Sequence, residues 1–62
     1  MEYYIILLHG GSLKIYKDKQ DKAHLSQGAR LFVCSSNVSV QDLYVWASND
    51  FKGLNTVQEL EN

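Results

Sequence analysis

The sequence predicts a small α+β domain, in which a mainly antiparallel four-stranded sheet carries one packed helix and the elements follow in the order β-β-β-α-β. Three observations support this: strand-like segments separated by turn residues, one segment with helical periodicity, and a length of only 62 residues. Hydrophobic residues make up 45% and charged residues 21% of the chain, as in folded globular proteins. We therefore expect residues 1–62 to form one domain, which buries about 60% of its surface.

The first two strands are predicted to form a hairpin. Residues 3–8 are apolar or aromatic at every position, which indicates a central strand covered on both faces. Gly10 and Gly11 separate this segment from residues 13–17, and two glycines between strand-like segments predict a tight two-residue turn. The second strand alternates apolar and more polar residues, so we expect one of its faces to be solvated.

Two further strands follow a polar connection. Residues 17–28 lack a sustained apolar period, which indicates a loop with room for one helical turn. Residues 30–35 alternate between two apolar faces and end in a Ser-Ser-Asn turn, so they are predicted to form the third strand. Residues 54–60 alternate more weakly and are predicted to form the fourth strand.

Residues 40–51 are predicted to form the helix. Ser39 is placed to cap the amide of Asp42, and Gly53 follows where a left-handed residue commonly ends a helix. The predicted core stripe consists of Val40, Leu43, Tyr44, Ala47 and Phe51. The alternative, a strand through residues 43–46, has suitable residue types but lacks the caps.

No catalytic or metal-binding signature is complete in this sequence. His9, Gly10 and Gly11 resemble part of an oxyanion hole, but no G-x-S-x-G segment accompanies them, and a hairpin turn explains the glycines. His9, His24 and Cys34 do not have the spacing of metal ligands. We therefore expect a protein that is not an enzyme and that carries no cofactor or metal.

The location of the protein is inferred from its N-terminus and its cysteine content. The apolar segment near the N-terminus is too short to span a bilayer and lacks the features of a signal peptide. Cys34 is the only cysteine, so no intrachain disulfide is possible and a core position is expected for it. These observations favour a soluble cytoplasmic protein.

Charge is unevenly distributed along the chain. The net charge is −1, but residues 14–30 carry five basic and two acidic residues, whereas residues 42–62 carry one basic and four acidic residues. The basic segment makes a nucleic-acid-binding protein one alternative. Asp18 and Asp21 interrupt it and no aromatic residue lies between its lysines, so a solvated loop is the preferred interpretation. Among functional interpretations, contact with an acidic protein surface fits better than a nucleic-acid site.

Aromatic residues outside the predicted core stripe indicate a surface that binds another protein. On a helical projection Trp46 flanks the stripe and Val45 points away from it, and Trp and Tyr often dominate binding energies. In an open alternative, Trp46 folds over the sheet edge as a lid on the core. The predicted partner-binding residues are Trp46, Val45, Tyr3, Tyr16, Lys17, Lys19 and Lys22.

A resemblance adds to this expectation. Residues 33–60 combine a strand, a Ser/Asn turn, a capped helix, Phe51, Gly53 and a closing strand. This segment, under half of the chain, resembles part of very small phage-encoded inhibitors, namely inhibitors of host RNA polymerase and anti-CRISPR proteins. The resemblance implies an inhibitor that covers a surface of a larger complex in the host cytoplasm, and it transfers no individual functional residue. A structural homo-oligomer formed through exposed strand edges remains a further alternative.

Overall fold

The computed structural model describes residues 2–61 and contains one antiparallel sheet with the strand order β2-β1-β3-β4. The strands are β1 (Glu2–Leu7), β2 (Leu13–Tyr16), β3 (Arg30–Ser35) and β4 (Gln58–Leu60), and the helix α1 (Val40–Ser48) lies between β3 and β4 in the chain. The predicted α+β class and the predicted order of elements are confirmed.

The central position of β1 organises the core. Ile5 lies opposite Ile15 of β2 and opposite Phe32 of β3. Ile5 and its neighbour Ile6 are both buried, although successive residues of a strand point to opposite faces. The prediction that this strand is covered on both faces is therefore confirmed.

The β1–β2 hairpin closes through three residues, not two. The Leu8 N–H donates to the Ser12 carbonyl at 2.8 Å, and the Gly11 N–H donates to the Leu8 carbonyl at 2.9 Å. Gly11 has φ of +93°, whereas Gly10 has no positive φ. This is the geometry of a turn followed by a glycine bulge. The two-residue turn was wrong because only one of the two glycines adopts a left-handed conformation.

The helix begins as predicted. Ser39 has an extended backbone, and its Oγ accepts a hydrogen bond from the Asp42 N–H at 3.1 Å. This bond satisfies one of the free amides at the helix N-terminus, and the Asp42 carboxylate lies in the first turn, where the helix dipole favours negative charge.

The helix ends three residues earlier than predicted, at Ser48. Asn49 is the C-cap, and Asp50 and Phe51 follow with φ of +60° and +61°. The Phe51 N–H donates to the Trp46 carbonyl at 3.0 Å, which is the long hydrogen bond of a Schellman motif. Asp50 therefore occupies the left-handed position that the sequence-based prediction had given to Gly53.

The buried face of the helix differs in part from the predicted one. Leu43 and Trp46 are 0% and 3% exposed, whereas Val40 and Tyr44 are 47% and 53% exposed. The prediction was therefore right for Leu43, and Ala47 and Phe51 also pack against the core, but it was wrong for Val40 and Tyr44. At 100° per residue, the midpoint of Leu43 and Trp46 lies roughly 90° around the helix from Val40. Phe51 lies outside the helix and approaches the core from the chain that follows.

Three aromatic rings hold α1 on the sheet. The centroids of Phe32 and Trp46 are 4.9 Å apart with the rings edge to face, and Trp46 meets Phe51 in the same way at 5.1 Å. Phe32 and Phe51 stack at 5.8 Å. Each side chain thus contacts both others, and the cluster joins β3, α1 and the segment after the helix.

The segment after Phe51 packs on the core before it pairs with the sheet. Leu54 and Val57 contact the helix-side core, and the Val57 N–H donates to the Leu54 carbonyl at 3.4 Å. Because residues 54–57 form this turn, β4 begins only at Gln58 and covers the end of the predicted range 54–60.

The other face of the sheet has a smaller buried region. Ile6 and Leu31 are register partners on the face opposite α1, and both are buried. Since the helix and the segment after it pack on the first face, we assign this burial to the connection between β2 and β3, in which Ala29 is buried. That connection contains one 3-10 turn, Lys22–His24, where the sequence left room for a single helical turn.

The hairpin geometry predicts opposite responses at its two glycines. Gly11→Ala should lower the free energy of unfolding by about 1 kcal/mol, because a Cβ is disfavoured at positive φ. Gly10→Ala should leave the stability unchanged or raise it by about 0.5 kcal/mol, since no atom lies within 4 Å of the added Cβ. Urea denaturation of both variants measures the contrast, and equal destabilisation would contradict the bulged turn.

The Schellman motif predicts that Asp50→Gly stabilises the protein by about 1 kcal/mol, because glycine adopts the left-handed conformation without strain. Loss of the Asp50 charge has two opposing effects, since this charge lies unfavourably at a helix C-terminus but attracts Arg30. Asn49→Gly is the matched control, because Asn49 has φ of −95° and glycine there should destabilise. Thermal and urea unfolding give the comparison, and a lower stability of Asp50→Gly would exclude the proposed strain.

Candidate functional site

The structure removes Trp46 from the predicted partner-binding surface. Its indole packs in the core between Phe32 and Phe51, and only 3% of the residue is exposed. The prediction was wrong for a physical reason. The indole is the largest apolar group of the helix, so its burial contributes more free energy than burial of Val40 would. This orientation of the helix also leaves the Tyr44 hydroxyl in water. The alternative in which Trp46 covers the core therefore describes the structure better.

The remaining predicted residues lie on several different surfaces. Val45 is 56% exposed, on the flank of α1 that faces residues 52–54. Tyr3 is half-buried against the helix-side core, and Tyr16 is exposed on the opposite face of the sheet. The basic members follow β2: Lys17 and Lys19 are exposed, and Lys22 is half-buried in the 3-10 turn. The structure does not bring these residues together into one site.

A cleft that the sequence did not reveal lies between the β1–β2 hairpin and α1. It has a volume of about 680 Å³, within the range of pockets that bind ligands or side chains. None of the residues that line it is charged. Its apolar lining comes from Leu7 and Leu13 of the hairpin and from Tyr44, Ala47 and Phe51 on the helical side.

The lateral position of the helix explains the cleft. The buried residues of α1 pack with Ile5 of β1 and with Phe32 and Cys34 of β3, whereas Leu13 and Ile15 of β2 are only half-buried. β2 is therefore left partly uncovered, and the cleft opens above it. Tyr44 stands beside this opening with about half of its surface exposed.

Tyr44 is the residue that sequence reasoning missed. Tyr44 and Trp46 are two positions apart, which places them about 200° apart around the helix, so only one of them can face the core. The sequence contained this signal, but choosing between the two rings required the positions of Phe32 and Phe51.

Arg30 contacts aromatic rings and a carboxylate on the helix-bearing face of the sheet, beside β4. Its Nε and Nη2 donate to the two carboxylate oxygens of Glu59 at 2.9 and 2.8 Å. The guanidinium also lies 5.0 Å from the ring centre of Phe32 and 5.1 Å from that of Phe51. Arg30 therefore links β3, β4 and the aromatic cluster, and its charge stabilises these contacts within the fold.

The basic segment is further compensated by its own acids. Asp21 caps the 3-10 turn by accepting a hydrogen bond from the Ala23 N–H at 3.0 Å, and its carboxylate is 4.0 Å from His24. With Arg30 engaged by Glu59, the rest of the positive charge in residues 14–30 comes from lysines. No aromatic ring is interleaved with Lys17, Lys19 and Lys22.

The histidines and the cysteine occupy separate environments. His9 belongs to the hairpin loop, and its ring lies 3.0 Å from where a Cβ on Gly28 would be. Cys34 is buried, and burial raises the pKa of its thiol above the ordinary value. Within residues 2–61, no group of three or more His, Cys, Asp or Glu residues is arranged to hold a metal ion.

Comparisons with known proteins leave the site to be interpreted from its own geometry. The chain matches no protein-family model, no curated protein and no solved structure. In the part of the chain that the structure describes, no helix is long and apolar enough to cross a membrane.

The Arg30–Glu59 pair predicts a specific dependence of stability on pH. Hydrogen bonding from Arg30 lowers the pKa of the Glu59 carboxyl below its ordinary value of 4.5. A lowered folded-state pKa contributes stability above the unfolded-state pKa, and this contribution is lost as the pH falls through the folded-state value. Because both side chains are partly exposed, we expect a contribution on the order of 1 kcal/mol or less.

Glu59→Gln should therefore be less stable than the wild type near neutral pH, and the difference should shrink in acid. Urea denaturation from about pH 7 to about pH 3 measures it. Glu61→Gln removes an equal charge two residues away without touching Arg30, and it should follow the wild-type profile. A constant difference between Glu59→Gln and wild type across this range would contradict the account.

Proposed function

We propose that this chain is a non-enzymatic protein-interaction module that receives an apolar side chain of its partner in the cleft between the β1–β2 hairpin and α1. The observation that carries the proposal is an uncharged cleft of about 680 Å³, bordered by a half-exposed Tyr44. An apolar cleft of this size fits an aromatic or branched aliphatic anchor, and a tyrosine at its edge offers both ring surface and a hydroxyl.

The exposed part of the helix extends this surface beyond the cleft. Val40 and Tyr44 lie on neighbouring turns and are both about half exposed. Together with the cleft they form an apolar surface on the hairpin side of α1, while Gln41 and Ser48 provide polar neighbours. A partner that inserts one side chain into the cleft can therefore also cover the first turns of the helix.

We further propose that the protein is an inhibitor. The helix that borders the cleft lies in residues 33–60, the segment that resembles very small phage-encoded inhibitors. In this form, the protein covers a surface of a larger host complex and acts by obstruction, without chemistry of its own.

Selection from a displayed library of random peptides tests the cleft and does not require the partner to be identified first. Peptides selected on the wild type should share a large apolar residue, and Tyr44→Ala should weaken their binding by about tenfold. The fold should be retained, because Tyr44 is half exposed and lies outside the buried cluster. Fluorescence anisotropy with labelled peptides measures the affinities.

Val45→Ala is the matched control for this experiment. Val45 is as exposed as Tyr44 and belongs to the same helix, but it lies on the flank that faces residues 52–54 and does not line the cleft. Its replacement should leave peptide binding unchanged. Equal binding of the selected peptides to wild type and Tyr44→Ala would refute the cleft as the binding site.

A further inference from the structure

The outer side of β2 presents unpaired backbone groups. β2 is an edge strand, and no other strand of residues 2–61 lies beyond it. The hydrogen bond from Leu8 to Ser12 fixes which residues of β2 bond to β1, because bonded and non-bonded pairs alternate in an antiparallel ladder. By this alternation Lys14 and Tyr16 bond to β1, whereas the N–H and C=O of Ile15 point outward.

This edge is complementary to a second copy of itself. In an antiparallel pairing about a two-fold axis at Ile15, each Ile15 lies opposite the other copy's Ile15, and the two residues exchange both backbone hydrogen bonds. Lys14 then lies opposite the second copy's Tyr16 on the same face of the sheet. This places an ammonium group beside an aromatic ring, an attractive contact, and no like charges are directly opposed.

The opposite edge of the sheet lacks this complementarity. Self-pairing of β4 about Leu60 would place Glu59 opposite the second copy's Glu61, and self-pairing about Glu59 would place two Glu59 residues opposite each other. Like charges directly opposed across strands are destabilising. The charges therefore favour β2 as the edge that pairs.

The uncovered side chains of β2 support the same arrangement. Leu13 and Ile15 are half-buried on the helical face because α1 packs over β1 and β3. In the paired arrangement, the Ile15 side chains of both copies meet on this face, where each gains an apolar neighbour. A chain of 62 residues has a small core, so the apolar area buried on pairing adds stability that the isolated domain does not have.

The geometry points to a homodimer in which two copies pair through β2 about a two-fold axis at Ile15. The dimer has one continuous eight-stranded sheet with both helices on the same face. The two clefts, each with Leu13 in its lining, border a shared groove whose floor includes Ile15 of both copies. The pairing does not depend on the proposed function; only use of the shared groove by a partner does.

Sedimentation equilibrium on the full chain tests the pairing directly. The chain is short enough for chemical synthesis, so a methyl group can be placed on the Ile15 amide to remove its outward donor while leaving the ladder to β1 intact. The unmodified protein should sediment at twice the chain mass of 7.1 kDa, and the methylated protein at the chain mass. Methylation of the amide of Lys19, an exposed loop residue, is the control and should preserve the dimer.

A second measurement reports the register without any modification. In a mixture of isotope-labelled and unlabelled protein, an intermolecular nuclear Overhauser effect should connect the Hα atoms of Lys14 and Tyr16, which oppose each other closely in this pairing. A monomer at millimolar concentration would overturn the proposal, and so would a dimer that survives methylation of Ile15. A series of masses that grows with concentration would also overturn it, since it would indicate head-to-tail pairing of different edges.

Discussion

The contact of the Trp46 indole with Phe32 and Phe51 is the interaction on which the rest of the structure depends. Burial of an indole contributes roughly 4–6 kcal/mol before entropic costs, from about 150–250 Å² at about 25 cal/mol per Å². To bring Phe51 back against the helix, the chain adopts left-handed conformations at Asp50 and Phe51, each of which costs about 1–2 kcal/mol. The aromatic burial and ring contacts exceed this cost, so the helix ends at Ser48 and the chain turns back.

The same contact determines the surface of the protein. Since Trp46 faces the sheet, Tyr44 on the other side of the helix must face solvent. Packing of the indole on Phe32 also holds α1 over β1 and β3, which leaves β2 partly uncovered. The uncharged cleft and the half-buried side chains of β2 are therefore two consequences of one packing arrangement, whereas the unpaired backbone edge of β2 follows from the strand order.

Local patterns were sufficient to predict the first three strands and the start of the helix. The third strand has the predicted bounds, and Ser39 caps the helix as expected, because alternation and capping depend on residues close in sequence. The helix end was not predictable in this way, since Asp50 occupies a left-handed position where glycine is usual. The cleft was not predictable either, because it depends on where α1 lies across the sheet and on which ring, Tyr44 or Trp46, faces inward.

The accessibility of Trp46 to solvent tests the central claim most directly. Trp46 is the only tryptophan, so its fluorescence reports on one site. A buried indole predicts blue-shifted emission and acrylamide quenching several-fold weaker in the native protein than in the urea-denatured chain. Native quenching as strong as that of the denatured chain, in a protein whose circular dichroism shows it folded, would place Trp46 on the surface and contradict the account.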